Sequence, residues 1–213
     1  MKNVGWVLVV CGWLLTTCQQ SDPNGYSRVD DPYEVAAITD DHINMIVEIP
    51  AGTNHKLEFD AEKNEFVHDT NEDGSTRMIN FLPYPGNYGF IPGTLMDKAR
   101  GGDGDPLDVL VISEAAVTGS MIPIIPIGAL LLRDRGELDT KIIAIPAAEN
   151  KRVLRATDFL DFAIRFDPAK QIIENWFLNY KGPGQTELIR WEDETYAWEA
   201  VRKWKVATEP SPQ

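Results

Sequence analysis

The alternation of apolar and polar residues predicts a chain that begins with strands and ends with helices. Several short segments are either continuously apolar or alternate with a period of two, which are the patterns of buried and half-buried strands. Two later segments repeat apolar residues every three to four positions, as a helix packed on one face does. Strands are predicted over residues 43–49, 55–60, 65–68, 109–112, 121–132, 141–145 and 186–191, and helices over residues 167–180 and 193–205.

Prolines and glycines predict where these elements bend or end. The first strand is expected to end at Pro50, and Glu48 is unusual as an acidic residue in the otherwise apolar sequence before it. Pro123, Pro126 and Gly128 predict bends or bulges in the strand over residues 121–132.

The first predicted helix has clear start and stop signals. Asp167 is expected to cap it, with Pro168 in its first turn, and Gly182 is expected to stop it. Its expected apolar face consists of Ile172, Ile173, Trp176, Phe177 and Tyr180.

Residues 77–94 contain three prolines and three glycines, which excludes a regular helix there. Four aromatic residues in or near the middle of this stretch carry large apolar surfaces, so we expect an ordered loop packed on the core. They are Phe81, Tyr84, Tyr88 and Phe90.

Three aspartates within six residues form the most distinctive chemical segment. Asp103, Asp105 and Asp108 lie in a loop rich in Gly and Pro that runs directly into an apolar strand. No Lys or Arg occurs between residues 101 and 132, so no neighbour in sequence offsets their mutual repulsion. Carboxylates that converge from a stiff loop at a strand edge are typical of a site for Mg²⁺, Mn²⁺ or Ca²⁺. An EF-hand is excluded, because its sixth position requires Gly and here holds Asp108.

Length and net charge narrow the classes of function. The chain has 213 residues, 43% of them hydrophobic, and a net charge of −13. This size and composition predict one globular domain with a substantial core. The negative charge argues against a nucleic-acid-binding surface and against anionic lipid as a partner. An acidic protein can hold a phosphate substrate only through cations, and a metal site in the loop that carries Asp103, Asp105 and Asp108, here called the aspartate loop, would supply them.

The N-terminal segment has the pattern of an export signal. Lys2 precedes a twelve-residue apolar run over residues 4–15, which is too short to span a bilayer but suits a signal-peptide core. The sequence Leu15-Thr16-Thr17-Cys18 resembles a bacterial lipobox, with Thr17 in place of the usual Gly, Ala or Ser. We therefore expect a lipoprotein signal peptide over residues 1–17, a lipid on Cys18, and an exported, membrane-anchored protein that faces the periplasm. The alternative is an ordinary cleaved signal, which also implies export.

The remaining chain is expected to form a tether and one domain. Residues 18–33 are predicted to be a flexible tether, and residues 34–213 a single domain. Both cysteines, Cys11 and Cys18, precede that domain, so it is predicted to have no disulfide and no thiolate metal site. Membrane contact is expected through the N-terminal lipid only.

Two segments of the chain resemble signatures of the soluble inorganic pyrophosphatases of family I. They are Asp-Gly-Asp-Pro-Leu-Asp-Val-Leu-Val at residues 103–111 and Tyr-Pro-Gly-Asn-Tyr-Gly-Phe-Ile at residues 84–91. Further residues follow in the same order as in that family, namely Glu48, Lys56, Glu58, Asp134, Asp139, Lys141, Tyr180 and Lys181. The resemblance covers about residues 43–205. It implies an α+β, mainly β fold: a five-stranded, twisted barrel of OB type with two helices packed outside.

The resemblance also implies a reaction. This is Mg²⁺-dependent hydrolysis of inorganic pyrophosphate to two phosphates by a water that bridges two metals, with Mn²⁺ as a substitute metal. Asp105 is implied to orient and deprotonate this water. The implied metal ligands are Glu48, Asp103, Asp108, Asp134 and Asp139, the implied phosphate-binding residues are Lys56, Arg77, Tyr88, Tyr180 and Lys181, and the implied supporting residues are Glu58, Tyr84 and Lys141.

Two features depart from the family pattern. One is the export signal, and the other is the lack of a Lys shortly after Lys181, where Gln185 stands instead. We expect weaker binding of substrate or product without loss of activity, with Arg190 as a candidate replacement. Bacterial members commonly form hexamers, so a homo-oligomer is implied. Two other functions stay open: a non-catalytic surface lipoprotein that binds Ca²⁺ or phosphate on the same scaffold, and a hydrolase of another small phosphoanhydride.

Overall fold

The computed structural model describes residues 24–206 of the chain. The strands in these residues are β1 Ser27–Arg28, β2 Ile38–Thr39, β3 His42–Ile49, β4 Leu57–Asp60, β5 Glu65–His68, β6 Asn87–Phe90, β7 Asp108–Val111, β8 Ser120–Asp134, β9 Glu137–Pro146 and β10 Thr186–Glu192. The α-helices are α1 Phe159–Arg165, α2 Asp167–Asn179 and α3 Glu194–Trp204, and short 3-10 helices occur at Pro32–Glu34, Lys98–Arg100 and Glu149–Lys151.

Five of the strands close into a ring. β3 pairs with β6, β6 with β7, β7 with β9 and β9 with β8, and the first part of β8 pairs back on β3. Only the β7–β9 pair of this ring is parallel. β1 and β10 add to β8, β2 adds to β3, and β4 and β5 form a separate hairpin. The five-stranded, mainly β architecture expected from the resemblance is confirmed.

β8 completes the ring because it is long and bends. Residues 121–124 of this strand pair with β3, and residues 124–134 pair with β9. The register with β9 shifts between Pro126 and Gly128, where the sequence predicts an interruption. A Cβ on Gly128 would lie 2.8 Å from the ring of Phe159 and 3.0 Å from the carbonyl oxygen of Glu192, so the close packing at this bend requires glycine.

Successive residues of the ring strands contribute to two buried clusters. In β7, Val109 and Val111 join one cluster and Leu110 joins the other; in β9, Ile142 and Ile143 are divided in the same way. The first cluster includes the apolar face of α3, and the second includes those of α1 and α2. The side-chain period of two therefore lets one ring of strands pack on two sets of helices.

The helices correct the sequence predictions in three places. The residues described contain three α-helices rather than two, because α1 is a seven-residue helix that buries only Phe162 and has too short a pattern to recognise. The N-cap of α2 is Phe166, and Asp167 is already its first residue. Ile172 is 61% exposed, whereas Ile173, Trp176 and Phe177 are buried, so the apolar face is narrower than expected.

The end of the predicted tether is packed against the domain. Residues 18–23, the signal segment and Cys18 lie outside the described residues, but residues 24–33 do not. Ser27 and Arg28 pair with β8, and Tyr26 is buried with the Lys151 ammonium 3.7 Å from its ring centroid. The prediction of a flexible tether is therefore wrong from about residue 24 onward. Within the described residues, none of the helices combines the length and apolar character needed to cross a bilayer.

Candidate active site

One large cavity gathers nearly all of the residues singled out from the sequence. It has a volume of about 680 Å³ and lies between the β4–β5 hairpin, the aspartate loop, the β8–β9 turn and the end of α2. Its lining includes Glu48, Lys56, Glu58, Arg77, Tyr88, Asp103, Asp105, Asp108, Asp134, Asp139, Lys141, Tyr180 and Lys181. Of the site residues implied by the family resemblance, Tyr84 is the one that does not line it within the described part of the chain.

The aspartate loop is fixed to a neighbouring loop by backbone hydrogen bonds. Met96 N–H donates to the carbonyl of Asp105 at 2.8 Å, and Gly104 N–H donates to the carbonyl of Met96 at 2.7 Å. Asp103 Oδ1 accepts from the N–H of Asp105 at 3.0 Å. A Cβ on Gly102 would collide with the backbone of Met96, so only glycine allows this approach. The loop thus presents its carboxylates from a constrained backbone.

Lys141 supplies the positive charge that the sequence around the aspartates lacks. The parallel pairing of β7 with β9 places it directly opposite Asp108. Its ammonium group forms an ion pair with Asp108, lies 2.6 Å from Asp139 Oδ1, and donates to the Tyr88 hydroxyl at 3.0 Å. Burial lowers the pKa of Lys141, but Asp108 and Asp139 outweigh this, so its pKa lies well above the usual range. Lys141 is therefore a permanent cation at the floor of the cavity.

Three of the carboxyl groups hold their protons more tightly than usual. Burial raises the pKa of Glu48 to about 8, against the opposing hydrogen bond from Phe59 N–H, and the negative charge of Asp108 adds to the rise. Burial raises the pKa of Asp103 to about 6, and the nearby Asp108 and Asp105 add to it. Burial also raises the pKa of Asp139, although Lys141 opposes the change. The cavity concentrates more negative charge than its own lysines neutralise.

Cationic side chains stand around the carboxylates. Lys181 Nζ lies 2.5 Å from Asp134 Oδ2, at the junction of the β8–β9 turn and the end of α2. Lys56 pairs with Glu58 on the β4–β5 hairpin, and Arg77 lines the same side of the cavity. These groups are placed to contact an anion that enters between them.

An aromatic stack holds the tyrosines of the site. Trp176 lies parallel to Tyr180, with ring centroids 4.5 Å apart, and its indole N–H donates to the carbonyl of Leu82 at 2.8 Å. Tyr84 lies behind the cavity, 4.4 Å from Trp176 and 5.2 Å from Tyr88 between ring centroids. Tyr84 therefore supports the two cavity tyrosines by packing.

Glycine and asparagine in the Asn87-Tyr88-Gly89 segment set the position of Tyr88. A Cβ on Gly89 would collide with the carbonyl oxygen of Ile46, so glycine permits the close pairing of β6 with β3. The Asn87 amide oxygen accepts from Ala51 and Ala116 N–H, and its nitrogen donates to Ser113 Oγ and the Glu114 carbonyl. Residues 87–90 form a strand, which the three prolines of the surrounding loop concealed in the sequence.

The donor set of the cavity fits divalent cations. Within residues 24–206, no three Asp, Glu, His or Cys side chains already stand in a ready-made metal-binding group. However, buried Asp134 Oδ1 accepts no hydrogen bond, whereas Asp139 Oδ1 contacts the Lys141 ammonium at 2.6 Å. An unpartnered carboxylate oxygen and raised carboxyl pKa values in one cavity are what a hard cation would relieve.

Sequence reasoning missed Tyr33 and misjudged Arg190. Tyr33 lines the cavity mouth with its ring 5.7 Å from that of Phe59, and it comes from the segment predicted to be a tether. The sequence did contain a sign of local structure, because Asp31 followed by Pro32 is the start pattern of a helix, and Asp31 caps the short helix that begins with Pro32.

Arg190 is paired with Glu192 on β10 and is not part of the cavity lining, so it does not replace the missing lysine. Gln185 is exposed and also lies outside the lining.

Comparison with known proteins identifies the family. The family model described as inorganic pyrophosphatase matches residues 45–209. The chain belongs to the inorganic pyrophosphatase family. The inorganic pyrophosphatase of Mesorhizobium japonicum is 37% identical over 160 residues, which cover 73% of this chain and 83% of that protein. The inorganic pyrophosphatase of Synechocystis is 37% identical over 155 residues, covering 71% and 82%.

Solved structures of pyrophosphatases have the same fold. The type I inorganic pyrophosphatase of Toxoplasma gondii superposes with a TM-score of 0.73 at 28% identity, over 87% of this chain and 89% of that one. The inorganic pyrophosphatase of Thermus thermophilus gives a TM-score of 0.64 at 26% identity, over 83% and 95%. The match to the pyrophosphatase family model contains all the predicted cavity residues and begins after Tyr33.

Proposed function

We propose that this protein hydrolyses inorganic pyrophosphate to two phosphates in the acidic cavity. The observation that supports this most directly is the gathering of eight acidic side chains and four cations around one space of about 680 Å³, in a chain of the pyrophosphatase family. The acidic residues are Glu48, Glu58, Asp103, Asp105, Asp108, Asp134, Glu137 and Asp139, and the cations are Lys56, Arg77, Lys141 and Lys181.

The cations and tyrosines of the chain bind and orient the substrate in this proposal. Lys56 and Arg77 come from the region of the β4–β5 hairpin, and Lys181 and Tyr180 come from the end of α2, so two separate parts of the lining hold the two phosphoryl groups. Lys141 stays bound to Asp108 and Asp139 and holds these carboxylates in orientation. Fixed placement of both reactants is the main contribution that a protein can make to phosphoryl transfer.

Asp105 takes the proton from the attacking water in this proposal. It projects from the constrained loop between Asp103 and Pro106 and lines the cavity. Mg²⁺ bound to the surrounding carboxylates would neutralise the charge of pyrophosphate and increase the acidity of the water, and Mn²⁺ would be a substitute. Glu48, Asp103, Asp108, Asp134 and Asp139 are the residues that would hold the metal.

Phosphate release from pyrophosphate tests this function. We expect turnover with Mg²⁺, none with EDTA, and a loss of at least about a hundredfold for Asp105→Asn, which keeps the shape of the side chain but removes the base. Asp193→Asn is a suitable control for expression and folding, because Asp193 caps α3 away from the cavity. A turnover rate that is unchanged by EDTA would contradict the proposed chemistry. Binding of Ca²⁺ or phosphate without turnover would favour a non-catalytic lipoprotein, and preferential turnover of tripolyphosphate would favour another phosphoanhydride.

We also propose that the protein is exported and anchored through a lipid on Cys18, on the basis of its N-terminal sequence pattern. Incorporation of labelled palmitate into the wild-type chain but not into Cys18→Ser would support lipidation; equal labelling of both would contradict it.

The family resemblance supports assembly into a homo-oligomer, up to a hexamer. Leu160 and Ile164 on α1 and Ile172 on α2 add to this support, because these apolar residues are 67%, 69% and 61% exposed. Sedimentation of the soluble domain tests the oligomeric state.

A further inference from the structure

A chain reversal between residues 69 and 77, which follows the β4–β5 hairpin, brings an unassigned carboxylate between two cavity cations. The turn at residues 71–74 reverses the chain, with Asn71 N–H donating to the Ser75 carbonyl and Gly74 N–H to the Asn71 carbonyl, both at 2.9 Å. This reversal sets Asp69 opposite Arg77, whose N–H donates to the Asp69 carbonyl at 2.8 Å. Asp69 N–H donates in turn to the carbonyl of Lys56 at 3.0 Å. The three residues are thus adjacent through their backbones.

Their side chains converge on one oxygen atom. Asp69 Oδ2 lies 2.8 Å from Arg77 Nη1 and 3.1 Å from Lys56 Nζ, while Asp69 Oδ1 accepts from the N–H of Thr70 at 2.7 Å. The side chain of Asp69 is 19% exposed, and although burial acts to raise its pKa, Lys56 and Arg77 bring it below the usual range. Asp69 is therefore an anion that is held in place and binds both cations at once.

The two cations differ in how strongly they depend on this carboxylate. Lys56 has a second anionic partner in Glu58. For Arg77, Asp69 is the one carboxylate within ion-pairing distance among residues 24–206. Without Asp69, the long arginine side chain would have to be ordered by the substrate itself, and ordering such a side chain on binding weakens affinity.

We infer that Asp69 is a positioning residue for substrate binding: it holds Arg77, and to a lesser degree Lys56, in the geometry that receives a phosphoryl group. It does not line the cavity, and it acts through the two side chains that do. The inference rests on the proposed function, because it assigns these cations to the phosphates. It gives the turn at residues 71–74 a role in binding, since that turn sets the register between Asp69 and Arg77.

Steady-state kinetics of Asp69→Asn with pyrophosphate and Mg²⁺ test the inference. Asn keeps the size of the side chain but removes its charge, so we expect KM to rise by about two- to tenfold, the range expected from freeing one long side chain, with kcat changed less than twofold. Asp60→Asn is the matched control, because Asp60 lies on the adjacent β4–β5 hairpin, pairs with Lys63, and is outside the cavity lining. We expect its KM to equal that of the wild type.

Two further measurements separate positioning from a general structural effect. In an Arg77→Ala background, Asp69→Asn should raise KM much less than in the wild type, because the side chain through which it chiefly acts is gone. Calorimetric titration with inorganic phosphate should show the same loss of affinity without any turnover. A wild type without pyrophosphatase activity would refute the proposed function. An active wild type combined with an unchanged or lowered KM in Asp69→Asn, or with full additivity in the double variant, would overturn the inference alone.

Discussion

Replacing Lys141 by methionine is expected to destabilise the domain strongly. The Lys141 side chain is 5% exposed, and its ammonium group contacts the Tyr88 hydroxyl as well as Asp108 and Asp139, whose side chains are 23% and 11% exposed. Methionine fills a similar volume but leaves two partly buried carboxylates facing each other without a cation. Removal of one partner from a buried ion pair typically lowers the free energy of unfolding by about 3–5 kcal/mol. For a domain of this size that corresponds to a decrease in Tm of roughly 6–20 °C.

The pH dependence of this effect has a definite sign. Burial already raises the pKa of Asp139 in the wild type, and loss of the lysine charge raises it further. The folded variant then binds more protons than its unfolded state over the range above the ordinary pKa of an aspartate, so its stability increases as the pH falls through that range. The difference between variant and wild type should therefore be largest near the upper end of this range and shrink toward the lower end.

Urea unfolding in EDTA, followed by tryptophan fluorescence, measures the change, and Lys63→Met is the matched control. Lys63 pairs with Asp60 on the surface, with 65% of its side chain exposed, so its replacement should leave the unfolding free energy nearly unchanged. Added Mg²⁺ should restore part of the stability lost in Lys141→Met, because it supplies positive charge to the same carboxylates. Equal stability of the two variants at each pH would refute the view that Lys141 compensates a buried acidic pair.

Three further predictions concern other parts of the molecule. Asn87→Ala should lower the free energy of unfolding by about 3 kcal/mol or more, because Asn87 is fully buried and four groups lose their hydrogen bond to its amide. Urea unfolding measures this change, and Asn175→Ala, which removes one exposed hydrogen bond within α2, is the control. At about pH 7, binding of Mg²⁺ should release close to one proton, mainly from Glu48 because its pKa is about 8. Calorimetry in buffers of different ionisation enthalpy measures this release, and most of it should be missing in Glu48→Gln. Gln185→Lys should lower KM for pyrophosphate by at most about fivefold, since an exposed charge contributes little, and an unchanged KM would show that the missing lysine does not limit binding.

The acidic cavity illustrates how far local sequence could lead. The three aspartates of the 101–111 segment, with Gly and Pro around them, were enough to predict a cation site in a loop before a buried strand, because backbone restrictions act over neighbouring residues. The order of strands and helices followed from periodicity for the same reason. The bends of β8 followed from its prolines and glycine.

The sequence near those aspartates does not show which positive charge offsets their repulsion. Lys141 reaches Asp108 because β7 and β9 are parallel neighbours, a pairing between segments more than thirty residues apart. Asp69 lies between Lys56 and Arg77 because a hairpin and a turn bring three backbone segments together. Tyr33 reaches the cavity mouth because residues 24–34 pack on the sheet instead of forming a tether.

The sequence by itself predicted nearly all of the residues that line the cavity and most of the strands and helices, because side-chain type, family motifs and periodicities of two and 3.6 residues can be read along the chain. The tertiary structure decided which charges neutralise one another and which side chains are buried, because ion pairs and burial depend on strand register and on the closure of the ring. The raised pKa of Glu48 belongs to this second group, since it arises from burial under the β4–β5 hairpin and not from its neighbours in sequence.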